Sequence, residues 1–89
     1  MPDGTEFGIV ASPNPSQNQF HIEFRSRDVN SSVTLHVFDN NGRVIEIKER
    51  LAIGQSITIG HNYRPGAYLL VATQGNNKAT IKLLRLPEY

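Results

Sequence analysis

Hydrophobic and polar residues alternate with a period of two along most of this chain. Phe20, Ile22 and Phe24 fall on one side of their segment, and Gln19, His21, Glu23 and Arg25 on the other. Val33, Leu35 and Val37 alternate with Thr34 and His36, Ile57 and Ile59 with Ser56 and Thr58, and Ile81 and Leu83 with Thr80 and Lys82. Such alternation marks a strand with one buried and one wet face. Segment 43–50 is weaker, with Ile45 and Ile47 opposite Glu46 and Lys48, while segment 67–73 is apolar on both faces and predicts a central, covered strand. No i, i+3, i+4, i+7 stripe occurs, so no helix longer than a turn is expected.

Turn chemistry sets the boundaries. Pro13 and Pro15 cannot donate to a ladder and restrict the residues before them, so the first strand stops near Ser12. Asn40-Asn41-Gly42 and Gly75-Asn76-Asn77 suit tight hairpins, and 62–66 forms a longer corner. Seven strands spaced about 10–12 residues apart predict an all-β fold, a seven-stranded antiparallel immunoglobulin-like β-sandwich. Tyr68 then stands at the start of the sixth strand, where its hydroxyl can bond back to the preceding loop. Residues 1–7 lack alternation and read as a disordered amino-terminal segment, with a Gly-Thr-Glu-Phe tract resembling a cloning remnant. Residues 8–86 form the β domain and 87–89 a tail.

The 89 residues make one domain and contain no cysteine, so the core must hold by packing. Nine basic against eight acidic residues, interspersed, give a net charge of +1 and no electrostatic reason for a nucleic-acid partner or a membrane surface. No apolar run approaches the ~18–20 residues of a membrane span, and no basic-then-apolar leader stands at the amino end. The chain reads as a fragment of a longer protein.

Catalytic chemistry is not legible. His21, His36 and His61 lie too far apart for a local metal motif, and neither His21 nor His36 has a serine or carboxylate placed to complete a triad. Asp39, Glu46 and Glu49 read as a solvated face rather than a glycosidase pair. No phosphate loop or calcium loop occurs, and Asn30-Ser31-Ser32 is a weak glycosylation match. Tyr63, Tyr68 and Tyr89 could suggest a sugar-stacking strip, but Tyr68 reads as core. No enzyme, metal or cofactor is expected.

Five signals in fixed order carry more information than any single residue. They are Val10-Ala11-Ser12-Pro13-Asn14-Pro15, followed by Phe20-His21-Ile22-Glu23-Phe24; Leu35-His36-Val37-Phe38-Asp39-Asn40-Asn41-Gly42-Arg43; Gly66-Ala67-Tyr68-Leu69-Leu70-Val71; and Lys82-Leu83-Leu84-Arg85. In this order the chain resembles the type A C-terminal sorting domain of the type IX secretion system of Bacteroidetes-type bacteria, from about Ile9 to Leu86. It departs from the family pattern in having no aromatic immediately after Pro15, and in continuing through Leu86-Pro87-Glu88-Tyr89 past the terminal strand.

The resemblance implies an address label. An amino-terminal passenger would cross the periplasm and be exported by the outer-membrane translocon to the cell surface or medium. A cell-surface sortase would then remove the domain near or before Phe7, releasing the passenger or joining it to an anionic lipopolysaccharide. The final strand is the expected recognition element, through Thr80, Lys82, Leu83, Leu84 and Arg85, with Ile81 and Leu83 held in the core. A partner could read its backbone by strand addition, with Lys82 and Arg85 as recognition charges. Lys82 could equally guard an exposed edge, and uncovered edges are a route to dimers. Pro13, Asn14, Pro15, Asp39, Gly42, Gly66 and Tyr68 are expected to be structural. The rival reading is a non-catalytic immunoglobulin-like module that binds carbohydrate or acts as a spacer.

Overall fold

The computed structural model describes residues 7–87; the remainder of the predicted amino-terminal segment and tail, with Tyr89, lies outside the described residues. Seven strands form, and no helix is present among the described residues: β1 (Gly8–Ser12), β2 (Phe20–Arg25), β3 (Val33–Phe38), β4 (Val44–Leu51), β5 (Ile57–Ile59), β6 (Gly66–Gln74) and β7 (Asn77–Arg85). They make two antiparallel sheets, one ordered β1-β2-β5 and the other β4-β3-β6-β7. The first strand ends at Ser12 as the prolines require, and both prolines follow cis peptide bonds. The three-residue β5 is shorter than the other strands.

Alternation becomes burial directly. Phe20, Ile22 and Phe24 of β2 face Val33, Leu35 and Val37 of β3, Tyr68, Leu70 and Ala72 of β6, and Leu83 of β7, in one core shared by the two sheets. Each fully buried aliphatic or aromatic side chain contributes about 1.5–3 kcal/mol, so this cluster supplies the main stabilising term in a domain with no disulfide. Phe7 belongs to it as well. Rather than being part of a disordered segment, it stacks on Phe24 with ring centroids 6.3 Å apart. The reason is parity, since Phe7 continues the inward series of Ile9 and Ala11.

The weak alternation of β4 has a structural cause. The β3–β4 register shifts between Val33 and Leu35 and again between Val37 and Phe38, and Arg50 adopts φ 61°. Such bulges re-aim side chains. Ile47 pairs with His36 on the outer face, while Glu46 and Lys48 lie opposite Val37 and Leu35 on the inner side of this edge strand. There the Glu46 carboxylate accepts the Tyr63 hydroxyl at 2.5 Å and pairs with Lys48 at 3.2 Å. Burial and that carboxylate push the Tyr63 phenol well above its ordinary pKa.

Two glycines test the backbone. Gly42 closes the β3–β4 hairpin at φ 81° with open space where a Cβ would go, whereas Gly60 has φ 95° and its Cβ would lie 2.8 Å from Phe20 Cδ2. Gly42→Ala should cost the conformational strain alone, about 1–2 kcal/mol. Gly60→Ala should add an overpacking term of about 1–3 kcal/mol. Urea titration of the two variants checks this; equal losses would show that Phe20 moves aside freely.

Candidate functional site

The terminal strand divides cleanly into two faces. Ile81, Leu83 and Arg85 point toward the core, and Thr80, Lys82 and Leu84 point out. β7 pairs along its whole length with β6, so Lys82 stands beside Leu69 and Thr80 beside Val71. Leu69 and Val71 in turn pair with Phe38 and His36 of β3. The result is an outward face with an apolar floor, which includes a shallow groove of about 510 Å³ lined by Phe38, Ala67, Leu69, Val71 and Lys82. His36 stacks on Phe38 in this face, with ring centroids 6.3 Å apart.

Arg85 occupies a different position from the one expected of a recognition charge. It is only 4% exposed, against 40% for Leu84 beside it. Its Nε donates to Gly60 O at 3.0 Å, Nη1 donates to Gln17 O and Leu86 O at 2.7 Å each, and Nη2 donates to His61 O at 3.3 Å. A buried charge is tolerated only when it is hydrogen-bonded in this way. The guanidinium therefore ties the 16–19 loop, the β5–β6 corner and the chain end into one unit. Alternation carried the signal, because residue 85 shares the parity of Ile81 and Leu83.

The Pro13–Ser16 segment lies along the free edge of β7. The Asn14 carboxamide donates from Nδ2 to Lys82 O at 2.9 Å and accepts from Leu84 N at 3.0 Å. Ser16 N donates to Leu84 O at 3.0 Å, Leu86 N donates to Ser16 O at 2.7 Å, and Ser16 bridges Arg85 in a parallel sense. Lys82 O, Leu84 N, Leu84 O and Leu86 N, backbone groups expected to be offered for strand addition, are thus already engaged within the domain. Ser16 itself is buried, with its hydroxyl bonded to Gln19 O at 2.7 Å and accepting from Asn18 N at 3.1 Å.

The remaining motif residues shape this frame. Gly66 begins β6 opposite Arg85, and the Tyr68 hydroxyl donates to Arg64 O at 2.5 Å across the corner. Asp39 organises the β3–β4 hairpin at the rim of the groove. Its Oδ1 accepts from Asn41 N at 2.9 Å and Arg43 N at 3.0 Å, and Oδ2 accepts from Arg43 Nε at 3.1 Å. The Arg43 backbone amide, together with that of Asn41 and the guanidinium, holds the carboxyl below its ordinary range. Asp28 is lowered too, by the Ser31 hydroxyl and by the backbone amides of Asn30 and Ser31.

Gln74 escaped the sequence reading. Buried at the far end of β6, it accepts from Ser26 Oγ at 2.6 Å and donates to Asp28 O at 2.9 Å and Ser31 O at 2.8 Å.

Tyr63 and Tyr68 pack on each other at 4.8 Å and direct their hydroxyls to Glu46 and Arg64, so they form no open stacking strip. Asp39 is paired with Arg43 and Glu46 with Lys48. Among the described residues no group of three or more His, Cys, Asp or Glu could hold a metal ion.

A family model described as the secretion system C-terminal sorting domain matches residues 11–85. No curated protein matches the chain. The chain belongs to this family, which is non-catalytic, and is a C-terminal secretion signal of the type IX secretion system. That role implies contact with the secretion machinery, a passenger on the amino-terminal side, and export to the cell surface or medium.

Two predictions separate framework from surface. Arg85→Lys cannot reach the same carbonyls and should destabilise by about 2–4 kcal/mol, since each buried acceptor left unpaired costs about 1–3 kcal/mol. Lys82→Ser should stay within about 0.5 kcal/mol of the parent. Denaturant melts of the two would show the contrast. The lowered Asp39 and Asp28 carboxyls favour the ionised form in the fold, so their stabilisation is present above the ordinary carboxylate pKa of about 3.9 and is lost as pH falls through the lower folded values. Stability should decline below about pH 4–5, and Asp39→Asn should make that decline shallower; an unchanged acid limb would deny Asp39 this role.

Proposed function

We propose that this sorting domain is an address label read through the outward face of its last strand and discarded after use. One observation carries the reading. Thr80, Lys82 and Leu84 stand in line on the outside of β7, beside the apolar floor of Leu69 and Phe38, and Leu84, Leu69 and Val44 are at least 40% exposed. An apolar surface with a cation at its rim is suited to a partner that buries it. Leu83 and Arg85 contribute from inside, by holding the strand that displays the other three.

The passenger and the folded domain cross the periplasm together, and the outer-membrane translocon engages this face. A cell-surface sortase then cuts near or before Phe7 and either releases the passenger or joins it to anionic lipopolysaccharide. The domain is the substrate of that protease and carries no catalytic group of its own. An immunoglobulin-like classification is supported by the β1-β2-β5 and β4-β3-β6-β7 strand orders and by the tyrosine bond across the corner before β6.

Fusing this chain to a periplasm-directed reporter should export the reporter in a bacterium with a type IX system. Deleting residues 82–89 should leave it in the periplasm. The double variant Lys82→Glu with Leu84→Asp should lower export at least about ten-fold while keeping the domain folded, because surface substitutions change stability by only about 0.5 kcal/mol each. Cell fractionation and reporter assay of the medium read the outcome. Export that survives the deletion refutes recognition through β7.

A further inference from the structure

We propose that Asn14 is a positioning residue of the export signal: its carboxamide closes the free edge of β7 and so fixes the face that the machinery reads. This rests on the reading of β7 given above. In an antiparallel ladder, alternate residues of an edge strand send their amide and carbonyl away from the paired neighbour. Here the outward-directed groups include those of Lys82 and Leu84, the residues whose side chains form the exposed face. Left open, these groups would invite pairing with any extended chain.

The segment that covers them is poorly equipped to do so with its backbone. Pro13 and Pro15 have no N–H, so neither can supply the donor that Lys82 O requires. The Asn14 side chain supplies it. An amide carries a donor and an acceptor side by side, as a peptide unit does, and Asn14 uses both, donating to Lys82 O at 2.9 Å and accepting from Leu84 N at 3.0 Å. Ser16 extends the pairing with its own backbone to Leu84 O and Leu86 N. The pseudo-strand thus spans the stretch that carries Lys82 and Leu84, and anchors on Arg85 through Gln17 O.

Two consequences follow. The spacing and direction of Lys82 and Leu84 are fixed by bonds on both edges of β7, which presents them without further ordering when a partner arrives. The edge itself is denied to strand addition at Lys82 O, at both backbone groups of Leu84 and at Leu86 N, so the partner docks on the face.

The test compares Asn14→Ala with Gln74→Ala in the reporter fusion and in this chain alone. Gln74 lies at the opposite end of β6 and ties only the 26–31 loop, so its loss destabilises the fold without touching the edge of β7. Asn14→Ala should speed hydrogen exchange at the Leu84 amide by at least about ten-fold while the Leu83 amide, paired with β6, is unchanged, and should lower export by at least about ten-fold. Gln74→Ala should lower the melting temperature at least as much, yet leave Leu84 exchange and export near the parent values. If Asn14→Ala folds poorly, Asn14→Asp retains the acceptor for Leu84 N and loses the donor to Lys82 O, and should show the same export defect.

Export within two-fold of the parent for a folded Asn14 variant overturns the proposal, as does an equal export loss in Gln74→Ala. If deletion of 82–89 abolishes export while Asn14→Ala does not, only the clamp is wrong. If the deletion itself is exported, the reading of β7 fails instead.

Discussion

The end of the domain that presents the last strand depends on how one buried cation is satisfied. Arg85 stands at the end of the last strand with its guanidinium inside the domain, where an unsolvated charge would be strongly unfavourable. Carbonyls from Gly60, His61, Gln17 and Leu86 surround it. These acceptors come from segments distant in sequence, so the guanidinium can be satisfied only when the β5–β6 corner, the loop after Pro15 and the end of β7 are all in place. The tight approach of Gly60 to Phe20 belongs to the same arrangement, because a side chain at position 60 would push the corner away from the core.

From that anchor the terminal strand acquires two distinct faces. Inward, Leu83 packs into the common core and Arg85 locks the chain end. Outward, Thr80, Lys82 and Leu84 continue a sheet face that contains Phe38, Leu69 and Val71. The edge between the faces is closed by the Pro13–Ser16 segment. Near its end this strand has Lys82 O, Leu84 N, Leu84 O and Leu86 N bonded within the domain while the side chains of Lys82 and Leu84 stay exposed. The β4 bulges add to the same surface by turning Ile47 outward beside His36.

The other end of the domain is held by different means. Gln74 fastens the 26–31 loop through its carboxamide, and Asp28 caps the same loop from within. Because these bonds lie far along β6 from Arg85, the two ends can be perturbed separately. The Gln74 end and the end that carries Arg85 and the displayed face are linked through the continuous β6–β7 pairing, which runs from Gln74 and Asn77 to Gly66 and Arg85.

The sequence by itself determined the strands, their turns and most of the core, because period-two alternation maps directly onto the two faces of a sheet and because Pro13, Pro15, Gly42 and Gly75 stop or reverse the chain for local reasons. It also determined the family, through motifs whose order survives in one dimension. Parity even contained the inward positions of Phe7, Gln74 and Arg85, although polar residue type argued the other way for the last two. What only the tertiary structure decided is everything that rests on meetings between distant segments. The carboxamide of Asn14 finds Lys82 and Leu84 some seventy residues away. Arg85 becomes framework because four carbonyls converge on it, and the β4 register turns Ile47 outward. Hydrogen bonds of this kind depend on three-dimensional proximity, and no local propensity encodes it.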